Sequence, residues 1–515
     1  MTSGLRSRRG GARVVYESPL RKRAPGTPFL TQSLPRPRRG LIALALGAIV
    51  LVAIGNFLWQ LGTPNFFADE VLSIWNATPS LSHVITAVNK TETNPWTYFL
   101  LLHGYLGYTG AQSEVATRIS SVIGGIALVP AVFWLASAFL RRWAALGAAA
   151  LCALAPLVLT YAQEVRGYIF VMLAVAVATA ATIRAVDRQG ARNRLLVAGA
   201  VGAIAALWLH YFAVLVIGPL CVWLLRQPSL SRRQRGIFVA ACALGGALTV
   251  PMFIEQLKSA AGLAGLASLK WWTAAAVIGT PFDGRFENVP TAIRIIGVVV
   301  AVVSILRLLS YDSHSVRHSQ LLGVLALVPI VAIVIAGAVG QDVVSTRYSA
   351  LAAPIEIVAI VAAIATFRAL PAIALSAATA FLVVWGLAVS HSKAGFYPPS
   401  KQVMAYIGRH RQPGDLVALT VRLGVNWPFE YYGWRSLHPP PRYIVPHDTR
   451  DLLAALHNKR RMWFISMLGV GKPSDRAWLT YVNQRLGPYG YRPLYFHKWT
   501  TAERTFTYLA VPSGS

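Results

Sequence analysis

Apolar residues run in long unbroken stretches along this chain, and charged residues are confined to the gaps between them. Stretches approaching the roughly 20 residues that cross a bilayer fall near 41–61, 117–140, 143–160, 168–184, 195–210, 212–225, 236–254, 291–309, 321–339, 350–366 and 370–389. They predict a polytopic α-helical membrane protein with eleven transmembrane helices. Arginines and lysines gather at alternate turns: the N-terminal cluster, Arg141/Arg142, Arg184/Arg188/Arg192/Arg194, Arg226/Arg232/Arg233/Arg235, Arg307/Arg317 and Arg368. The positive-inside bias makes those turns cytoplasmic. Segments 62–116, 161–167, 255–290 and 340–349, with the C-terminal part, then lie outside, and the N-terminus lies in the cytoplasm.

Within the first outer loop, "NPWTYFLLLHGYLG" (94–107) is apolar but short, and His103 and Gly104 interrupt it. A crossing there would move Arg141/Arg142 outside, so it reads as an interfacial helix with Trp96, Tyr98 and Tyr105 at headgroup level. Segment 255–290, with "LKWWTAAAVIG", reads as an outer amphipathic element that either anchors at the interface or closes over a lipid substrate. Residues 1–40, rich in Arg, Pro, Ser and Gly, read as a disordered basic tail, and 41–389 as the transmembrane domain. Beyond 390 the pattern changes. "GDLVALTV" and "RRMWFISML" predict strands and "PSDRAWLTYVNQRLG" a capped helix, so 390–515 is expected to form a small extracytoplasmic α/β domain.

Composition agrees. The 515 residues are 55% hydrophobic and 13% charged, which argues against a single soluble core. A net charge of +29 would suit nucleic acid in a soluble protein, but here it sits in loop clusters without a recognition module, so no nucleic-acid partner is expected. The final domain, with 17 Lys or Arg against 6 Asp or Glu, suits anionic headgroups, an anionic acceptor or simply a solvated basic surface. Cys152, Cys221 and Cys242 all lie in apolar runs and imply no disulfide framework.

Polar residues collect on the outer side. "NFFADEVLSIW" (65–75) places Asp69 and Glu70 just after the first span, with Asn94 and His103 in the same loop. Arg118 enters the second span. "YAQEVRGY" (161–168) supplies Tyr161, Gln163, Glu164 and Arg166, followed by His210/Tyr211 and by "QDVVSTRY" (341–348) with Arg347 and Tyr348. Ionisable groups at membrane depth cost a few kcal/mol each, so their joint placement on one face points to a site. Singly, each has a plain structural alternative: Asp69 as a helix cap, Arg118 and Arg166 as headgroup anchors, Glu164 as an arginine partner, His210 as a core histidine and His103 as an interfacial one. Lys90 reads as solvated.

The order of these pieces, an Asp-Glu pair after the first span, "NPWTYFLLLH", "ATRISS" and "YAQEVRGY", resembles membrane glycosyltransferases of the GT-C superfamily. The likeness is to bacterial relatives of protein O-mannosyltransferases and lipopolysaccharide sugar transferases that use polyprenyl-phosphate sugars. It covers roughly 41–366, with "LHYFAV" and "TRYSALAAP" adding to it. Those relatives usually carry His-Pro-Pro or Lys-Pro-Pro where this chain has Asn94-Pro95-Trp96, which puts a cationic contact from that position in doubt.

The resemblance implies an inverting enzyme that moves a sugar from a polyprenyl-phosphate donor to a hydroxyl of an envelope glycolipid, polysaccharide or protein. It would act on the outer face of the bacterial cytoplasmic membrane. Asp69 would be the catalytic base with Glu70 beside it, and Arg166, Arg347 and Arg118 would hold the donor phosphate. Gln163, Glu164, Asn94, His103, Tyr161, His210 and Tyr348 would position substrate. A phosphate leaving group needs no acid, unlike the carboxyl pair of a glycosidase. Adjacent helical residues point about 100° apart, so only one of Asp69 and Glu70 readily faces a given atom. Gln163 precedes Arg166 by one helical face if that turn is helical. No His/Cys cluster has zinc spacing. No obligatory metal is expected, and a divalent cation held by Asp69 with Glu164 is the sparse alternative. Arginine-rich, lysine-poor usage suggests a high-G+C bacterial genome, where mannose or arabinose is plausible. A non-catalytic polytopic lipid or solute transporter is the rival reading, although neither pseudo-symmetric halves nor broken midplane helices are evident.

Overall fold

The computed structural model describes residues 39–188, 190–259, 269–284, 289–310, 316, 318–341, 343–392, 399–420 and 426–444, and pieces of 454–512. The first apolar run is α1 (Arg39–Leu58), after which the chain builds three short helices over one end of the bundle. These are α2 (Ala68–Ala77), α3 (Leu81–Thr91) and α4 (Thr97–Thr109). At 13 residues α4 rises only ~20 Å, less than a bilayer core. Its aromatic residues are tied into the protein: Trp96 Nε1 donates to Asn89 Oδ1 at 2.7 Å, the Tyr105 hydroxyl donates to the Ala116 carbonyl, and Tyr98 is buried.

Next come α5 (Glu114–Phe139), α6 (Arg142–Leu154), α7 (Pro156–Ala162), α8 (Tyr168–Asp187) and α9 (Arg192–Leu209). Ser113 caps α5 by accepting the Ala116 N–H. The run expected as one span at 143–160 is broken, because α6 and α7 meet at 56° where Pro156 opens the second helix. Proline lacks the N–H, and its ring bars the carbonyl four residues earlier. The run at 212–225 starts as a 3-10 turn and becomes α10 (Val214–Leu225), shorter than a full span.

The bundle is completed by α11 (Arg232–Ala247), α12 (Val250–Ser259), α13 (Trp271–Ile278), α14 (Thr291–Ser310), α15 (Ser319–Ala338), α16 (Thr346–Ser349), α17 (Ala353–Thr366) and α18 (Ala369–His391). By length and composition, nine helices among the described residues can cross a bilayer, and ten with the bent pair counted as one. The chain is therefore a multi-pass membrane protein. Burial sorts the spans: 89% of the Thr346–Thr366 span is covered by protein against 17% of α1, whose Leu44 and Leu51 face outward as lipid-facing residues do.

After the bundle come α19 (Ser400–His410) and α20 (Trp427–Ser436), with β1 (Leu416–Thr420), β2 (Arg442–Ile444), β3 (Met462–Leu468), β4 (Tyr491–Trp499) and β5 (Arg504–Pro512). The sheet order is β2-β1-β3-β5-β4. β1 runs parallel to β2 and β3, and β5 is antiparallel to β3 and β4. β1 and β3 are the two strands expected from alternation. The helix expected at 473–487 and most of the tail 1–40 lie outside the described residues.

The sheet-bearing segment docks on the loop between α1 and α5. The Tyr432 hydroxyl accepts the Phe66 N–H at 2.8 Å and donates to Glu114 Oε1 at 2.8 Å. Lys401 Nζ reaches Glu114 at 3.1 Å, and Asn65 Nδ2 donates to Gln402 Oε1 at 2.8 Å. Phe66 stacks on Tyr432 and meets the edge of Tyr431.

Candidate active site

The first turn of α2 separates the two acidic neighbours. α2 starts at Ala68, so Phe67 is the capping residue, and Glu70 at the third helical position turns back to accept the Phe67 N–H at 2.9 Å. The cap is thus supplied by Glu70 and not by Asp69. Glu70 is wholly buried, and its two oxygens also accept from Arg118 Nε and Nη2, each at 2.8 Å, and from the Val165 N–H at 3.2 Å.

Arg118 answers with all five of its N–H groups. Besides Glu70 it donates to the carbonyls of Leu61 (2.8 Å), Pro64 (2.9 Å) and Asn65 (3.1 Å), while its guanidinium lies 5.2 Å from the Phe66 ring centre. The pair ties the 61–67 loop to α2 and α5, and in this arrangement Arg118 has no N–H left for a phosphate. Its expected place among the phosphate ligands therefore lacks geometric support.

Asp69 takes the other direction. Its side chain is 25% exposed, and Oδ2 stands 3.4 Å from Arg347 Nη1 on α16, itself 36% exposed. This pair, brought together from distant parts of the chain, is the accessible acid and cation of the site.

Arg166 lies deeper. Nη1 donates to Glu92 Oε1 at 2.7 Å, to Ser73 Oγ at 3.1 Å and to the Asp69 carbonyl at 3.4 Å; Nη2 reaches Glu92 Oε2 at 3.4 Å. Burial alone would lower its proton affinity, but the carboxylates of Glu92 and then Asp69 outweigh it and hold the guanidinium well above the ordinary arginine pKa. Glu92, at the end of α3, was not among the expected site residues. The carboxylates that hold Arg118 and Arg166 are Glu70 and Glu92.

The remaining expected residues divide. Gln163–Gly167 form a turn and not a helix, so Gln163 and Arg166 share no helical face. Gln163 Nε2 instead donates to the carbonyls of Phe57 (3.0 Å) and Trp59 (2.8 Å), closing the end of α1. His103 Nδ1 donates to the Ala77 carbonyl at 2.8 Å, the equivalent service for α2. Glu164 is buried in the same turn as Arg166.

Tyr161, Tyr168, His210, Phe212 and Tyr348 form an aromatic wall. Tyr161 lies 4.7 Å from Tyr168, Tyr348 stacks 4.8 Å from Phe212, and His210 touches Tyr168, Phe212 and Tyr348 at 5.7 to 5.9 Å. Asn94 stands at the head of α4, its carbonyl accepting from Gln256 Nε2 at 2.9 Å. Gly167 allows α4 to lie against this turn, since a Cβ there would meet Tyr98 at 3.1 Å.

Among the described residues no three His, Cys, Asp or Glu side chains converge as a metal site. Glu70 and Glu92 are each paired with an arginine, and the accessible carboxylate of Asp69 faces Arg347.

No protein-family model matches the chain, and no curated protein matches it. Solved structures do. ArnT from Cupriavidus metallidurans, bound to undecaprenyl phosphate, is 11% identical with a TM-score of 0.53, over 92% of this chain and 98% of that one. An Archaeoglobus fulgidus oligosaccharyltransferase is 11% identical with a TM-score of 0.53, over 92% of this chain and 74% of that one. The mycobacterial arabinofuranosyltransferase AftD is 14% identical with a TM-score of 0.50, over 93% of this chain and 42% of that one. At these identities the likeness is one of fold, shared with these three sugar-transferring proteins, and extends to no particular subfamily.

Proposed function

We propose that the protein is an inverting glycosyltransferase that moves a sugar from a polyprenyl-phosphate donor to a hydroxyl of an envelope acceptor at the outer face of the cytoplasmic membrane. The single observation that carries this reading is the Asp69–Arg347 pair at 3.4 Å: one accessible carboxylate beside one accessible guanidinium, at the bundle end roofed by α2, α3 and α4.

In this reading Asp69 takes the proton from the acceptor hydroxyl, whose oxygen forms the new bond to the anomeric carbon as the bond from that carbon to the phosphate oxygen breaks. The sugar inverts, and the polyprenyl phosphate leaves with its charge met by Arg347 through charge-assisted hydrogen bonds. Arg166 adds a permanent positive charge and steadies the Asp69 backbone carbonyl, while Glu70 and Arg118 hold the loop that presents Asp69. Before donor arrives, Arg347 occupies the base. A phosphate that draws Arg347 away uncovers the Asp69 carboxylate on that side for the acceptor.

The sugar is a neutral aldose; mannose and arabinose are the candidates, and the acceptor is a glycolipid, wall polysaccharide or protein hydroxyl. The sheet-bearing segment is extracytoplasmic in this orientation, consistent with its docking on the loop that carries Asp69.

Transfer of label from polyprenyl-phosphate sugars in proteoliposomes tests the reading. Asp69→Asn should lower kcat by on the order of 10²–10⁴ while donor still binds. Full activity in that variant would remove Asp69 from the role of base, and no new glycosidic bond in the wild type would end the transferase reading.

A further inference from the structure

Three buried polar atoms of residues lining one cleft have no hydrogen-bond partner among the described residues: Asn94 Oδ1, His210 Nε2 and the Tyr98 hydroxyl. Tyr98, Phe99, Arg166 and Tyr168 help to wall the cleft, which has about 10 Å³ of free space, the room of a single water or hydroxyl group. Leaving these polar groups buried and unanswered is costly, so the site is complementary to a group that can answer them.

The protonation of His210 is fixed by its other nitrogen. Nδ1 accepts the Phe212 N–H at 3.2 Å, so in the neutral ring the proton sits on Nε2. The ring is held by Tyr168, Phe212 and Tyr348 and has little freedom to turn. His210 therefore offers a donor, and Asn94 Oδ1 offers an acceptor. Asn94 is fixed in turn, because its carbonyl accepts from Gln256 Nε2 and Gln256 Oε1 accepts the Tyr211 hydroxyl at 3.0 Å.

A hydroxyl satisfies both at once, accepting from His210 and donating to Asn94. An ammonium cannot accept from His210, and the charged group on the wall is a cation, Arg166. A carboxylate cannot donate to Asn94. We propose that Asn94 and His210 form a subsite for one hydroxyl of the sugar being transferred, making them specificity residues that select an unmodified hydroxyl over an amino or acidic group at that carbon. The inference rests on the transferase reading above. It also gives a role to Asn94, one of the two positions, with Trp96, where this chain departs from the motif of the families it resembles: a neutral Asn94 suits a hydroxyl contact where a cation would suit phosphate.

The test uses polyprenyl-phosphate mannose and arabinose, and monodeoxy forms of whichever is transferred, with wild type, Asn94→Ala, His210→Phe and His210→Gln in proteoliposomes. One deoxy donor should lose roughly 10- to 100-fold in kcat/KM with the wild type. That loss should vanish in Asn94→Ala and His210→Phe and be partly kept in His210→Gln, which retains a donor. Equal deoxy losses in wild type and variants would overturn the subsite and mean that the cleft holds water only. If His210→Phe fails to fold, as judged by its melting temperature, Asn94→Ala decides alone. Transfer without the coupling defeats the subsite only, whereas absence of any transfer by the wild type defeats the underlying reading first.

Discussion

Glu92 at the end of α3 holds Arg166 of the 163–167 turn through two hydrogen bonds, the shorter 2.7 Å, and Arg166 in turn reaches the carbonyl of Asp69. Glu92→Gln should therefore lower kcat without abolishing it and destabilise the protein by about 3–5 kcal/mol, the effect of leaving a buried charge unpaired. Single-turnover transfer and thermal unfolding in detergent would read the two effects. Because the Arg166 pKa is raised, the pair contributes fully at every pH below the ordinary arginine value and is lost only above it. The stability gap between wild type and Glu92→Gln should thus stay constant from about pH 7 to about pH 10. A gap that closes over that range would place the proton affinity of Arg166 lower than its surroundings imply.

Arg118 and Glu70 should behave as scaffold and not as chemistry. Glu70→Ala leaves a buried guanidinium facing empty space, and about 3–5 kcal/mol of stability should be lost. Asp69→Asn, at a partly exposed position, should melt close to the wild type. Comparing melting temperatures of the two variants separates the neighbours directly, and a Glu70→Ala protein as stable as wild type would contradict the buried network.

Tyr432 links the sheet-bearing segment to the Asp69 loop. Burial, together with the Glu114 carboxylate, pushes its pKa up and keeps the hydroxyl protonated. Tyr432→Phe removes an acceptor from the Phe66 N–H and a donor from Glu114, and about 1–3 kcal/mol should be lost. Donor KM should hardly change while kcat falls, since the loop and not the phosphate contact is disturbed. Steady-state kinetics over a range of donor concentrations would show the split.

If Arg347 meets the phosphate charge as proposed, metal removal should leave transfer intact, and Glu70, Glu92 and Asp69 each lie against an arginine. Assays in excess EDTA against added magnesium or manganese measure this. A loss of activity restored by the cation would require a ligand set different from the one described.

Charges at the ends of apolar runs stand out in a sequence, and so Asp69, Arg166, Arg347, His210 and Tyr348 could be singled out before any coordinates, whereas Tyr168 and Phe212, the other rings around His210, could not. Saturation could not be read there. Arg118 and Gln163 have side chains suited to binding phosphate or sugar, but folding brings backbone carbonyls, and for Arg118 also the Glu70 carboxylate, onto their N–H groups. Glu92 was hidden because "NKTETNP" is polar throughout, and nothing local tells a buried carboxylate from a solvated one. The break at Pro156 was visible as a proline inside an apolar run, and the run was nonetheless read as a single span. α20 was not anticipated, although "WPFEYYGWRS" carries Pro428 in its first turn and aromatic residues on its buried face.

The bend between α6 and α7 sets the depth of the chemistry. Seven residues inclined at 56° advance only about 6 Å along α6, where a straight continuation would have advanced about 10 Å. The turn bearing Arg166 is thereby sunk by most of a helical turn beneath the level a straight helix would reach. In the proposed transferase, a turn held that low and buried would keep bulk water from a glycosyl phosphate, and that protection would follow from the same proline that breaks the span.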